Sequence, residues 1–180
     1  MILIIQICKY NLHYLEFVKP IEDILMKNKI KFKSIHYKNL TTNLINESEK
    51  IIIAGTSLKD NSFIKDINKF DWIIRTNKPI LAICGGMHIL GLLFDGKLKK
   101  QQEIGITEVN FNEIFFGYIG SKEAYELHNF FVESNRFDII ASSNNCPQAI
   151  KHKNKPLFGV LFHPEVRNKE LIKNFIRKVN

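Results

Sequence analysis

Two short stretches carry residue types that could do covalent chemistry together. In "PILAICGGMHILGLLF", residues 79–94, a β-rich apolar run ends in Cys84, steps through Gly85 and Gly86 and continues as an apolar helix-like pattern. In "LFGVLFHPEV", residues 157–166, a second apolar run leads into His163, Pro164 and Glu165. A cysteine between a strand and a helix sits on a tight turn at the strand's carboxyl end, exposed to a crevice, as in a nucleophile elbow. The two glycines let the backbone pass close to substrate and neighbours without a Cβ in the way. The helix N-terminus just after it favours an anionic sulfur. Such a nucleophile needs a proton shuttle, which His163 supplies, and Glu165 is placed to hold the other imidazole nitrogen and fix its tautomer. Cys84, His163 and Glu165 thus read as nucleophile, base and orienting group. Either motif alone is an ordinary structural feature, a packed thiol or a strand ending in a turn. Both together, each at the end of a buried strand, are far more specific.

The elements that must position them follow from periodicity. "ILIIQI" (2–7), "IIIAG" (51–55) and "ILAIC" (80–84) are short apolar runs of the kind found in strands buried on both faces, and "KFKSIHY" (31–37) alternates like a strand. Phe17, Val18, Ile21, Ile24 and Leu25 predict a helix reaching Asn28, started or kinked by Pro20. Phe63, Ile64, Ile67, Phe70 and Ile74 fall at helical spacing between Asn61 and Arg75, and a further helix covers 86–94. Strand and helix alternate through this half, which requires right-handed crossovers and a mainly parallel sheet. Beyond Gly96 short β-like pieces dominate ("ITEVNF", "EIFF", "FDIIASS", "QAIKH", "LFGVLF"), and the amphipathic "KELIKNFIRKV" closes the chain. The expected fold class is α/β: three layers, a mainly parallel central sheet with flanking helices and antiparallel additions.

Length and composition set the bounds. The 180 residues, 45% of them hydrophobic and 14 of them Phe, suffice for a single domain over 1–180 with its own core. The formal charge is +8, but the lysines are scattered, with small clusters at Lys97–Lys100 and Lys151–Lys155 and no aromatic-interleaved basic stripe. A nucleic-acid partner is therefore not expected. Three cysteines without CxxC spacing argue against a disulfide framework or a zinc knuckle and fit a reducing cytoplasm. Cys8 and Cys146 read as packed thiols, and His13, His36 and His152 have no partner pattern. The N-terminal run reads as a first strand, no stretch approaches membrane-helix length, and the chain is expected to be soluble and cytoplasmic.

The residues Cys84-Gly85-Gly86-Met87-His88 and His163-Pro164-Glu165 resemble the hallmarks of the class I glutamine amidotransferases, C-x-G-x-Q at the elbow and H-P-E near the C-terminus. The resemblance covers nearly the whole chain. Within the family, "FDIIASSNNCPQAIKHKNKPLFGVLFHPEV" and "GKLKK" followed by "EIG" are most similar to the GMP synthase branch, in its arrangement with the glutaminase as a free subunit. That resemblance implies the family's flavodoxin-like fold and hydrolysis of glutamine to glutamate and ammonia. It also implies an oxyanion hole from backbone N–H groups of Gly85 and of the loop at Gly55 and Thr56. His88, and His128 with Asn129 in "LHN", are implied to seat the substrate. No cofactor or metal is expected on this chain. The implied partner is an ATP pyrophosphatase or other synthetase subunit, which would carry ATP and Mg.

Two departures stand out. His88 occupies the family's glutamine position, and "AGTS" (54–57) stands where "SGGP" is common, which makes a peptide flip in that loop harder at a β-branched residue. His88 as a metal ligand is disfavoured, since a zinc site wants three or four convergent ligands and would consume the thiolate. Two other readings stay open at this point: a stand-alone cysteine hydrolase of γ-glutamyl compounds, and a non-catalytic regulatory paralogue.

Overall fold

The isoleucine-rich runs lie edge to edge in the middle of the molecule, as runs apolar on both sides must. The structure, a computed structural model, describes residues 1–178. In chain order its elements are β1 (Ile2–Gln6), α1 (Asn11–Phe17), α2 (Lys19–Lys27), β2 (Phe32–His36), α3 (Thr42–Glu47), β3 (Lys50–Ile53), α4 (Ser62–Lys65), α5 (Trp72–Arg75), β4 (Ile80–Ile83) and α6 (Gly85–Leu93). There follow β5 (Lys97–Phe115), β6 (Tyr118–Glu133), β7 (Phe137–Ser142), β8 (Pro147–His152), β9 (Leu157–Val160) and α7 (Lys169–Lys178). They build one nine-stranded sheet of order β2-β1-β3-β4-β9-β8-β7-β5-β6. The first five strands in that order are parallel. The remaining four are joined by antiparallel pairings.

Successive residues of each buried strand feed opposite faces. On β1, Ile2 and Ile4 pack with Phe17, Ile21, Leu25, Ile172 and Phe175 under α1, α2 and α7. Leu3 and Ile5 pack with Ile45, Phe63, Phe70, Ile73 and Leu90 under α3 to α6. Three layers result, with two apolar cores sharing one sheet.

Three local expectations are refined. The helix expected to reach Asn28 breaks at Val18, and Pro20 opens α2 in its first turn, where a missing N–H costs nothing. The apolar spacing between Asn61 and Arg75 gives not one helix but α4, a 3₁₀ turn at Ile67–Phe70 and α5. Asp66 and Asp71 sit at the breaks, and Asp66 accepts a hydrogen bond from the Tyr37 hydroxyl at 2.5 Å. Neither aspartate side chain caps the turn that follows it; the backbone instead closes three-residue turns, with the Lys69 N–H on Asp66 O at 2.9 Å and the Ile74 N–H on Asp71 O at 3.2 Å. Phe63 and Phe70 still reach the core and Ile64 and Ile67 pack against it, but Ile74 is exposed and Ile73 takes the buried position instead.

The largest difference lies beyond Gly96. "ITEVNF" and the first three residues of "EIFF" are parts of one 19-residue strand, β5, paired along most of its length with the 16-residue β6. Most of β6 was not legible as a strand, because Gly, Ser, Lys, Glu and Asn are poor strand formers that give no alternation. Phe115 pairs with Tyr118, and Phe116 and Gly117 between them both have positive φ, +49° and +88°. That is the signature of a two-residue type I′ hairpin turn. Among the described residues no helix is long and apolar enough to cross a membrane.

Helix α6 lies so close to β3 that a Cβ on Gly86 would fall 2.8 Å from the Ile53 carbonyl oxygen. Gly86→Ala is expected to destabilise the fold by about 1–3 kcal/mol, the usual range for forcing atoms into packed space. Urea unfolding measures it; a stability equal to wild type would contradict this packing.

Candidate active site

Parallel strands carry the loops at their carboxyl ends to one crest. β1, β3, β4 and β9 are consecutive in the sheet, and their carboxyl ends lead to Cys8, Gly55, Cys84 and His163. β4 and β9 are in register with Ile83 opposite Val160, and the Cys84 N–H donates to Val160 O at 2.7 Å. The sulfur and the imidazole therefore leave adjacent strands at nearly the same height. Cys84 caps α6 with φ +48° and ψ −106°, a conformation L-residues avoid, as expected for a side chain held on a sharp strand-to-helix turn.

His163 Nδ1 lies 2.8 Å from Glu165 Oε1, both side chains fully buried. Nε2 is also buried and makes no aligned hydrogen bond, while the Cys84 thiol donates to Leu127 O at 3.7 Å. Burial alone would lower the basicity of His163. The Glu165 carboxylate and the Cys84 sulfur outweigh it, and its pKa stands well above the ordinary 6.5. Phe17 shields the ring with centroids 5.2 Å apart, and the His163 N–H is tied to Tyr125 O on β6 at 2.9 Å. A Cβ on Gly55 would meet His163 Cε1 at 2.7 Å and the Cys84 Cβ at 3.4 Å, so the loop after β3 is wedged against both groups.

That loop is fastened by Asp60, which sequence reasoning passed over because nothing local marks it. Its Oδ2 accepts from the Lys9 N–H at 2.6 Å and the Thr56 hydroxyl at 3.0 Å, and its Oδ1 from the Ser62 hydroxyl at 3.0 Å. Burial opposes the charge, but these donors hold the Asp60 pKa below its ordinary value.

The pocket at the sulfur is lined by Thr56, Gly85, His88, Leu127, His128 and Asn129, among others. Its volume is about 10 Å³, room for a single water. A cavity of about 1040 Å³ opens beside it, and Ser57, Leu58 and Leu127 belong to the walls of both. A molecule of amino-acid size reaches Cys84 only when that partition moves. The partition is latched: Asn129 Nδ2 donates to Leu58 O at 3.1 Å, while its Oδ1 accepts from Gln102 at 2.6 Å.

The remaining candidates line the pocket with side chains occupied elsewhere. His88 is buried, Nε2 donates to Phe130 O at 2.9 Å, and burial drives its pKa down to about 4, so the ring is neutral with an unpartnered Nδ1. His128 Nδ1 lies 3.1 Å from Gln101 O, and Nε2 faces Glu103 Oε2 at 3.2 Å and Glu126 Oε2 at 3.4 Å. Its imidazole thus belongs to a buried polar cluster with Cys146 and Gln148. Glu103, His128 and Cys146 have ligand atoms within 4.8 Å of one another, close enough to surround a cation. However, Gln148 Nε2 and Asn145 Nδ2 already donate to the two Glu103 oxygens, at 2.5 and 2.8 Å. Burial, first, and Glu103, second, push the Cys146 thiol up to about 12, the direction opposite to that of a metal-binding thiolate.

Comparison with known proteins adds independent findings. Residues 13–179 match the family model for Glutamine amidotransferase class-I. The chain is 36% identical over 145 residues, 73% of its own length and 77% of the other's, to a glutamine-hydrolyzing GMP synthase subunit of Picrophilus torridus. It is 37% identical over 131 residues, 64% and 70% of the two lengths, to the protein of the same name from Sulfurisphaera tokodaii. Among solved structures, a Thermoplasma acidophilum chain described as a candidate GMP synthase subunit superposes with a TM-score of 0.84 at 21% identity, covering 98% of this chain and 93% of that one. A Thermotoga maritima glutamine amidotransferase superposes with a TM-score of 0.73 at 17% identity, covering 98% and 81%.

Because Glu165 raises the His163 pKa, removing its charge lowers it. In Glu165→Gln the imidazole is expected to titrate at lower pH than in wild type, followed by NMR of isotopically labelled histidine. An unmoved titration would mean that the carboxylate does not govern the ring.

Proposed function

The chain belongs to the class I glutamine amidotransferase family, and from that premise we propose that its Cys84–His163–Glu165 site hydrolyses glutamine and hands the ammonia to a separate synthetase chain. The carrying observation is the pairing of β4 with β9, which sets Cys84 beside an imidazole whose far nitrogen is on a carboxylate at 2.8 Å. Cys84 Sγ, its proton passing to His163 Nε2, attacks the side-chain amide carbon of glutamine, and the oxygen that becomes negative is received by backbone N–H groups of Gly85 and the Gly55–Thr56 loop. His163 gives its Nε2 proton to the departing nitrogen, which leaves as ammonia. The resulting γ-glutamyl thioester is opened by water that His163 deprotonates, releasing glutamate and restoring the thiol. Glu165 holds Nδ1–H throughout, so that Nε2 is the nitrogen that trades protons.

His88 and Asn129 contribute as walls and ties. A neutral His88 offers a lone pair at Nδ1 where the family's glutamine offers an amide. The Asn129–Leu58 latch must yield for glutamine to enter. His128 is a positioning residue in this reading: its ring anchors β6, whose Leu127 carbonyl accepts from the Cys84 thiol at 3.7 Å.

The names of the relatives extend the proposal to the acceptor. The Picrophilus and Sulfurisphaera proteins are about this size, and the match covers 77% and 70% of their lengths. A Francisella tularensis GMP synthase, 32% identical over 143 residues, is a longer chain of which the match covers 27%. The proposed partner is accordingly an ATP pyrophosphatase chain that uses ATP and Mg to activate xanthosine monophosphate, and the ammonia completes GMP.

Purified protein is expected to release glutamate from glutamine, and Cys84→Ala to lower that rate at least about 10³-fold. Adding an archaeal ATP pyrophosphatase chain with ATP, Mg and xanthosine monophosphate should yield GMP from glutamine. Turnover that survives in Cys84→Ala removes the nucleophile assignment; turnover of γ-glutamyl amides that no synthetase stimulates selects the stand-alone hydrolase instead.

A further inference from the structure

We propose that the Cys8 thiol is a positioning residue: by donating to the Gly55 carbonyl it keeps the Gly55–Thr56 peptide turned with the Thr56 N–H toward Cys84, so that the oxyanion donor is preformed in the free chain. The proposal rests on the glutaminase reading and assigns a task to a side chain with no part in the triad.

The sheet brings the two segments together. β1 and β3 are neighbours with Ile5 opposite Ile53, and the Ala54 N–H donates to Ile5 O at 3.0 Å. Their continuations, Ile7–Cys8 and Gly55–Thr56, therefore run side by side, and the buried Cys8 Sγ lies 3.6 Å from Gly55 O, within reach of a sulfur hydrogen bond. Burial pushes this thiol up to about 11, so it keeps its proton at neutral pH and acts as a donor. The described peptides are all trans, and a trans unit points its C=O and N–H in opposite directions. With the carbonyl of residue 55 on Cys8, the N–H of residue 56 points away from Cys8.

On that other side lies the reacting pair. Gly55 is packed against His163 Cε1 and the Cys84 Cβ, and Thr56 lines the pocket at the sulfur. Thr56 is buried, and among the described residues its N–H has no hydrogen-bond acceptor. A buried unpaired N–H is costly unless something is meant to meet it. The far side of the same peptide is fixed too, since the Thr56 hydroxyl donates to Asp60 at 3.0 Å and the Asp60 N–H to Ser57 O at 3.0 Å. Reversing the peptide would break the Cys8 contact and aim a carbonyl oxygen at the position where negative charge develops.

The test compares Cys8→Ser, which keeps a donor, with Cys8→Ala and Cys8→Val, which do not. For each, kcat and KM for glutamine, the rate of Cys84 alkylation by iodoacetamide and the melting temperature are measured. Alkylation needs the nucleophile but no oxyanion donor. The two non-donor variants are expected to lose about 10- to 100-fold in kcat, with KM and the alkylation rate within about twofold of wild type, as for an interaction made only in the transition state. Cys8→Ser should stay within about threefold of wild type in kcat. Should one non-donor variant fail to fold, the other is compared. Wild-type kcat in a folded non-donor variant overturns the proposal, as does an equal loss in Cys8→Ser or a parallel loss of alkylation. Those outcomes leave glutamine turnover by wild type intact; a wild type that turns over no glutamine, alone or with a synthetase, instead removes the glutaminase reading and this inference with it.

Discussion

The parallel pairing of β4 with β9 is the interaction on which the site depends. It joins segments far apart in the chain, and its register sets Cys84 beside Val160 with one 2.7 Å hydrogen bond at the point where both strands stop. Slipping that register by one residue would turn the buried side chains of β9 to the other face and swing His163 away from the sulfur. The apolar side chains of both strands, packed into a different core on each face, resist such a slip. The same hydrophobic pattern that makes the core therefore also fixes the geometry of the proposed site.

Strain is placed where this frame can bear it. Cys84 holds a backbone conformation that costs on the order of 1–3 kcal/mol, and it is restrained on both sides. Its N–H is bound to Val160 O, and its carbonyl accepts from His88 N at 3.1 Å. The close approach of α6 to β3, possible only without a Cβ at residue 86, brings the helix N-terminus directly behind the sulfur. His163 is held as firmly: Glu165 on one nitrogen, Tyr125 O on its backbone, and the Phe17 ring beside it.

Polar residues near the site divide into those that face the pocket and those that hold its walls. Glu126 is fully buried, with neither carboxylate oxygen in a hydrogen bond, and burial raises its pKa. Together with Glu103, Gln148 and Cys146 it surrounds the His128 ring, fastening β6 against β5 and the turn before β8. Asn129 and His88 likewise spend their hydrogen bonds on Leu58 and Phe130. Around the pocket at Cys84, the Asn129 and His88 side chains thus tie neighbouring backbone segments together.

The amino-acid sequence alone was enough to mark the parallel half of the sheet, the strand-to-helix turn at Cys84 and the His-Pro-Glu segment that the fold sets beside it. Each of these is written in local apolar runs, glycines and a His-Pro-Glu turn, and short-range patterns survive folding unchanged. Most of β6 escaped it because Gly, Ser, Lys, Glu and Asn dilute its apolar pattern, although "ITEVNF" in β5 was legible as β-like, and the single helix expected after Asn61 gives way to tighter turns, with the Lys69 N–H on Asp66 O and the Ile74 N–H on Asp71 O. Only the tertiary structure decided that Cys8 touches the loop after β3, that Asp60 fastens that loop and that His128 turns into a buried cluster. The bonds that decide this, Cys8 to Gly55, Lys9 to Asp60 and His128 to Gln101 and Glu103, join residues 25 or more positions apart and are set by strand order and register, for which a linear sequence has no local mark.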